Sequence, residues 1–126
     1  MSTEQTTGID ISVEASADLS ANQYLAHEIN GSGQLALASA LTDVVGILQS
    51  KPAAAGRVGT LRILGSSLFT AGTSGVTAGD KLAPEAGTGK LITAGATDVP
   101  CGLALETVAA NSLGECVLLG NPGATI

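Results

Sequence analysis

The chain has 126 residues, of which 44% are hydrophobic, 2% aromatic and 13% charged, with 17 glycines and a net charge of −6. This length suits one domain, and the apolar content excludes a disordered chain. The acidic balance excludes a basic face built to meet nucleic-acid phosphates.

Taken from the N-terminus, residues 1–18 form a polar, acidic leader with a short alternation at Ile9, Ile11 and Val13. The pattern predicts an extended N-terminal arm, either as an edge strand or ordered only against a neighbour. Six acids (Glu4, Asp10, Glu14, Asp18, Glu28, Asp43) and no Lys or Arg precede Lys51. They read as a solvated face, the sharper alternative being an acidic arm that meets a basic partner surface. The start, Met1-Ser2-Thr3-Glu4-Gln5, lacks the positive and apolar stretches of a signal peptide. No apolar run approaches the roughly 20 residues that span a bilayer. Synthesis and use in the cytosol, without a membrane partner, are expected unless something larger carries the chain out.

Residues 19–126 read as one β domain. "GQLALASA" (33–40) and "GKLITAGA" (89–96) are short alternating runs opened by glycine turns, hence strands. "VVGILQS" (44–50) and "PCGLALETV" (100–108) are near-continuous apolar runs, as in strands buried on both faces. "RVGTLRILG" (57–65) and "LGECVLLG" (113–120) alternate and end at Gly, the latter as a two-sided strand or with a bulge. Ser66 to Gly75 is a loop or connecting strand, and Asn121 to Ile126 a turn with a free end. Glycines every six to ten residues deny a helix its length, leaving room for one helical turn at Leu37–Asp43.

These segments form an internal repeat. Gly33-Gln34-Leu35 recurs as Gly89-Lys90-Leu91, Thr42-Asp43-Val44 as Thr97-Asp98-Val99, and Ile63-Leu64-Gly65 as Leu118-Leu119-Gly120. Upstream, Leu25-Ala26 aligns with Leu82-Ala83. The offset stays at 55 to 57 residues, giving units of about 19–65 and 76–120. The expected architecture is all-β: a compact sandwich or barrel-like module of two similar β units behind the arm.

Chemistry is sparse. Catalysis needs converging polar groups with shifted pKa values, and no metal-ligand spacing, catalytic constellation or cofactor motif is present. The single His27, whose repeat counterpart near Pro84 is not a His, reads as a surface or turn residue. Cys101 and Cys116 stand where the first unit has Val45 and Leu61, so they read as small buried hydrophobes. "AGTGKL" (86–91) lacks the first Gly and the Ser/Thr of a phosphate loop and reads as a hairpin turn. Asp43 and Asp98 read as turn formers. Asp80-Lys81 resembles the lysine turn of lipoyl carrier domains over two residues, a minor alternative that needs Lys81 at a hairpin tip. An enzyme is the least expected class.

The unit pattern, a "G-D/Q-x-L" strand, a "G-K/Q-L" turn, "T-D-V…G-I/L-A/L" and then "A-A…G-x-x-V/I-x-L-L-G", resembles the small capsid decoration (cement) proteins of tailed bacteriophages. That family was once taken for recombinase-like proteins. The stretch that carries the likeness is "GDKLAPEAGTGKLITAGATDVPCGLALETVAANSLGECVLLG", Gly79–Gly120. The pronounced duplication departs from the family and leaves open instead a two-domain head-fibre base or another virion protein. The resemblance implies a homotrimer on the outer surface of the phage head that clamps neighbouring major capsid protein subunits, using many small contacts in parallel. Under that reading residues 1–18 meet the coat, and apolar edge positions meet other copies.

Overall fold

The structure, a computed structural model, describes residues 8–38, 44–96 and 98–119. Its elements are all strands: β1 (Gly8–Glu14), β2 (Ala26–Ile29), β3 (Leu35–Leu37), β4 (Gly46–Leu48), β5 (Val58–Thr70), β6 (Lys81–Pro84), β7 (Leu91–Thr93), β8 (Gly102–Ala104) and β9 (Leu113–Leu118). They make one curled sheet in the order β3-β2-β4-β5-β9-β8-β6-β7, with β1 paired to β5 off that path. The all-β, barrel-like expectation holds.

The curl is two small rings that share β5. In the first, β1 pairs with the start of β5, β5 with β4, β4 with β2 and β2 with β3. A parallel bridge from Ala15 to Leu35 then returns the path to the end of β1. In the second ring the end of β5 takes the part of β1, and β9, β8, β6 and β7 follow in the same way. There the bridge runs from Ala71 to Leu91. The duplication extends to single hydrogen bonds. Ala15 N–H donates to Arg57 O as Ala71 N–H does to Ser112 O, and Ser16 donates to Leu35 as Gly72 does to Leu91. Leu19 to Pro52 repeats as Val76 to Val108, and Gln49 to Thr60 as Leu105 to Glu115.

This equivalence reaches further upstream than the sequence repeat, because Ile9–Ala15 matches Gly65–Ala71. The described part of the N-terminal arm therefore lies extended along β5 of its own chain. Ser66–Thr70 continues β5 as a connecting strand rather than ending at Gly65. Gly65 sits at φ 100, a conformation that L side chains avoid, and there the strand passes from one ring to the other. Gly65 partners both Gly8 and Leu118, so β1 and β9 flank it on opposite edges.

One stretch of the repeat alignment is corrected. Leu48 N–H donates to Leu25 O, and its counterpart Ala104 donates to Asp80 O, so Leu25-Ala26 matches Asp80-Lys81 at an offset of 55. The first unit is longer in the turn after Leu19, where no periodic pattern anchors the alignment. His27 thereby corresponds to Leu82. The helical turn expected at Leu37–Asp43 falls mostly outside the described residues, with Leu37 itself in β3.

Each ring encloses few side chains. Ala15, Leu19, Leu35, Leu48 and Leu61 fill the first, and their counterparts Ala71, Val76, Leu91, Ala104 and Cys116 lie in the larger second cluster. The rings are so narrow that glycine is needed on the lining strands. A Cβ on Gly59 would meet Leu35 Cδ1 at 2.9 Å and Pro52 Cγ at 3.2 Å, and one on the equivalent Gly114 would collide with Val108. The second cluster also takes in Ala26, Ala38, Val44 and Ile47 from the first unit, around the fully buried Phe69. Phe69 thus joins the two rings. Phe69→Ala is expected to lower unfolding stability by about 3–5 kcal/mol, read as a shifted midpoint in urea titration with unchanged cooperativity.

Candidate functional site

The side chains with chemical potential do not converge. Among the described residues no group of His, Cys, Asp and Glu is placed to hold a metal. The sequence reading of His27 is overturned: the ring is fully buried on β2 rather than at the surface. Its Nδ1 lies 2.9 Å from Leu25 O, and since a carbonyl only accepts, Nδ1 carries the proton. Nε2 then presents a bare lone pair that is buried without a partner among the described residues. Burial pulls the His27 pKa down, against the opposing pull of the Leu25 carbonyl.

Cys101 and Cys116 are buried free thiols, as their apolar counterparts in the first unit imply. Burial pushes the Cys101 pKa up to about 11 and raises that of Cys116 further, with Cys101 and Glu115 adding to the latter. Neither thiol has the positive, exposed surroundings of a nucleophile. Residues 85–90 form the β6–β7 turn, closed by Glu85 N–H to Lys90 O at 2.6 Å, so "AGTGKL" is a hairpin. Lys81 is the first residue of β6, laddered opposite Leu103, and not at a hairpin tip as the lipoyl comparison requires. Asp98 accepts the Gly95 N–H at 2.8 Å, the turn role expected of it. Asp43 lies outside the described residues.

Several carboxylates among the described residues are committed to internal bonds. Arg62 grips Asp10 with Nε at 2.5 Å and Nη2 at 3.2 Å, while Nη1 donates to Ser66 O, which ties β1 to both halves of β5. The Arg62 hydrogen bonds hold the Asp10 carboxyl below its ordinary range. Glu85 accepts from the Thr88 and Thr73 hydroxyls, at 2.8 and 3.1 Å, and its pKa is lowered, mainly through Thr88. Asp80 accepts from Thr77 N–H at 2.9 Å and from the Thr93 hydroxyl at 2.8 Å, both of which lower its pKa. Beside it lies a depression of about 390 Å³ lined by Ser74, Thr77, Asp80, Thr93 and Thr107 over Val108. Sequence reasoning missed this depression and the Asp10–Arg62 pair, because the partners lie 13 to 52 residues apart without a motif.

Several large apolar side chains also lie at the surface. Ile9 and Leu64 are register partners across β1 and β5, 54% and 42% exposed. Leu119, 50% exposed, follows the residue that pairs with Gly65 on the other edge of β5. The three extend one row across adjacent strands. Val58 and its counterpart Leu113 are exposed at the starts of β5 and β9, and Leu105 beyond β8.

No protein-family model and no curated protein matches the sequence. A solved structure with a similar fold is the head fiber gp8.5 N base of bacteriophage phi29. It is 17% identical, covers 90% of this chain and 96% of that one, and gives a TM-score of 0.64.

Two outcomes follow from this geometry. A folded-state His pKa below the unfolded value, near 6.5, means that the unfolded chain binds more protons as pH falls. The His27 contribution is complete above about pH 6.5 and declines as pH drops toward the folded pKa, by at most about 1.4 kcal/mol per pH unit. Urea midpoints measured from pH 7.5 to 5 are expected to fall for the wild type and to flatten in His27→Leu. Both thiols are expected to resist a maleimide reagent in the native protein and to react in denaturant, read by intact mass.

Proposed function

We propose that the chain is a structural virion protein, attached to the outer surface of a phage head and devoid of catalytic activity. The observation that carries this reading is the likeness to a phage head-fibre base across nearly the whole of both chains. Two further features support it. The carboxylates of Asp10, Asp80 and Glu85 are tied to the fold by internal bonds. Exposed aliphatic side chains occupy the strand ends.

In the form suggested by the resemblance to decoration proteins, homotrimers clamp neighbouring major capsid protein subunits. Residues 1–18, whose β1 also walls the first ring, supply the contact with the coat, and residues 19–126 supply the rest of the β domain. Contacts of modest strength sum when one oligomer spans several coat subunits, so release requires all of them to open together. The duplicated rings suit this role by presenting two similar units in one rigid body. The fold likeness also favours a second form, in which the chain is the base of a head fibre and holds another virion polypeptide away from the shell.

Quantitative mass spectrometry of purified virions tests the proposal. A clamp is expected in fixed ratio to the major capsid protein, and heads lacking it are expected to lose thermal or mechanical resistance. A fibre base is expected at lower copy, with a second polypeptide lost when it is removed. Absence from purified virions refutes both forms.

A further inference from the structure

The two rings are joined head to tail, not about a twofold axis, and this leaves one copy of each joining face unused. At the internal seam Ala26 N–H donates to Gly89 O at 2.7 Å, and Thr70 N–H donates to Tyr24 O at 3.1 Å. A Cβ on Gly89 would lie 2.5 Å from Leu37 Cδ1 and 3.1 Å from Leu25 Cβ. The first unit thus offers a head face (Tyr24, Leu25, Ala26, Leu37, Ala38), and the second offers a tail face (Phe69, Thr70, Gly89). A twofold arrangement would place Gly33, the counterpart of Gly89, against the second unit, yet a Cβ on Gly33 meets nothing within 4 Å.

Burial shows the same asymmetry. Ala26 and Ala38 are buried, whereas their counterparts Lys81 and Ala94 are exposed and half-buried. Ile47 is buried and its counterpart Leu103 half-buried. On the tail side Phe69 and Gly89 are buried, whereas Val13 and Gly33 are half-buried and exposed. Asp80 and Thr93, which line the open depression, are the counterparts of Leu25 and Leu37. Asp80 and Thr93, at the rim of the depression, thus belong to the second unit's version of the surface on which the first unit receives a hairpin turn.

We propose that a second copy of the chain occupies this surface, seating its Asn30–Gln34 turn against the Asp80, Thr93 and Ala94 face in the manner of the internal seam. The turn is closed as the 85–90 turn is, by Asn30 N–H to Gln34 O at 2.9 Å, and Gly33 has φ 76 where Gly89 has φ 72. The free tail face carries Glu14 at the position of Thr70, and the free head face carries Asp80 and Lys81 at the positions of Leu25 and Ala26, so the contact between copies is polar where the internal seam is apolar. A heterologous contact of this kind builds rings or open chains rather than isolated dimers. The inference rests on the seam alone and stands whether or not the protein belongs to a virion.

Glu14→Trp blocks the tail face at an exposed position whose counterpart, Thr70, donates its N–H to Tyr24 O across the internal seam. Ala94→Trp blocks the head face. With urea midpoints confirming that both variants fold, sedimentation of each alone is expected to show monomers, and the wild type concentration-dependent larger species. An equimolar mixture retains one good head and one good tail, so it is expected to give a 1:1 complex and nothing larger. A wild type that stays monomeric to millimolar concentration overturns the proposal. So does a folded variant that associates like the wild type, or a mixture that yields no 1:1 complex.

Discussion

The hydrogen-bond ladder of β5 organises the whole molecule. A strand of 13 residues is laddered to β1 and β4 over its first half and to β9 over its second, and it serves as a wall of both rings. Neither ring closes without it. The change of direction at Gly65 lets one strand satisfy two curvatures, because the positive φ re-aims the chain without breaking the ladder on either side. Arg62 lies just before that point and holds Asp10 and Ser66 O at once, so the bend is fixed from outside as well as by pairing.

Ring size then explains the composition. A ring of five short segments encloses room for a handful of small and medium side chains, and a Cβ at Gly59 or Gly114 already intrudes on its neighbours. Aromatic residues have no place inside. The single Phe sits instead where the rings meet, and there it gathers apolar side chains from both units. A composition that suggests a thinly stabilised domain is the composition of two narrow tubes sealed against each other.

The seam also accounts for where the two copies have diverged. Positions facing the partner ring in the first unit are Leu25, Ala26 and Leu37, while their counterparts in the second, Asp80, Lys81 and Thr93, face solvent and are polar. Asp80 bonds its own surroundings there rather than a reactant, in keeping with a protein whose carboxylates and thiols serve the fold.

The sequence alone determined the strands, the hairpin at 85–90, the apolar role of Cys101 and Cys116 and the duplication itself, because alternation, glycine turns and offset matches are local signals. It did not determine where one unit ends. Gly65 reads as a stop, but on pairing with Gly8 and Leu118 it becomes a bend inside a continuous strand. Nor did it place His27, whose burial depends on β3 and β4 closing on either side of β2, or align the turn after Leu19, where no periodicity fixes the register. The head-to-tail sense of the seam was likewise decided only in three dimensions. Two copies of one pattern can meet symmetrically or in series, and the choice depends on which faces exclude water together.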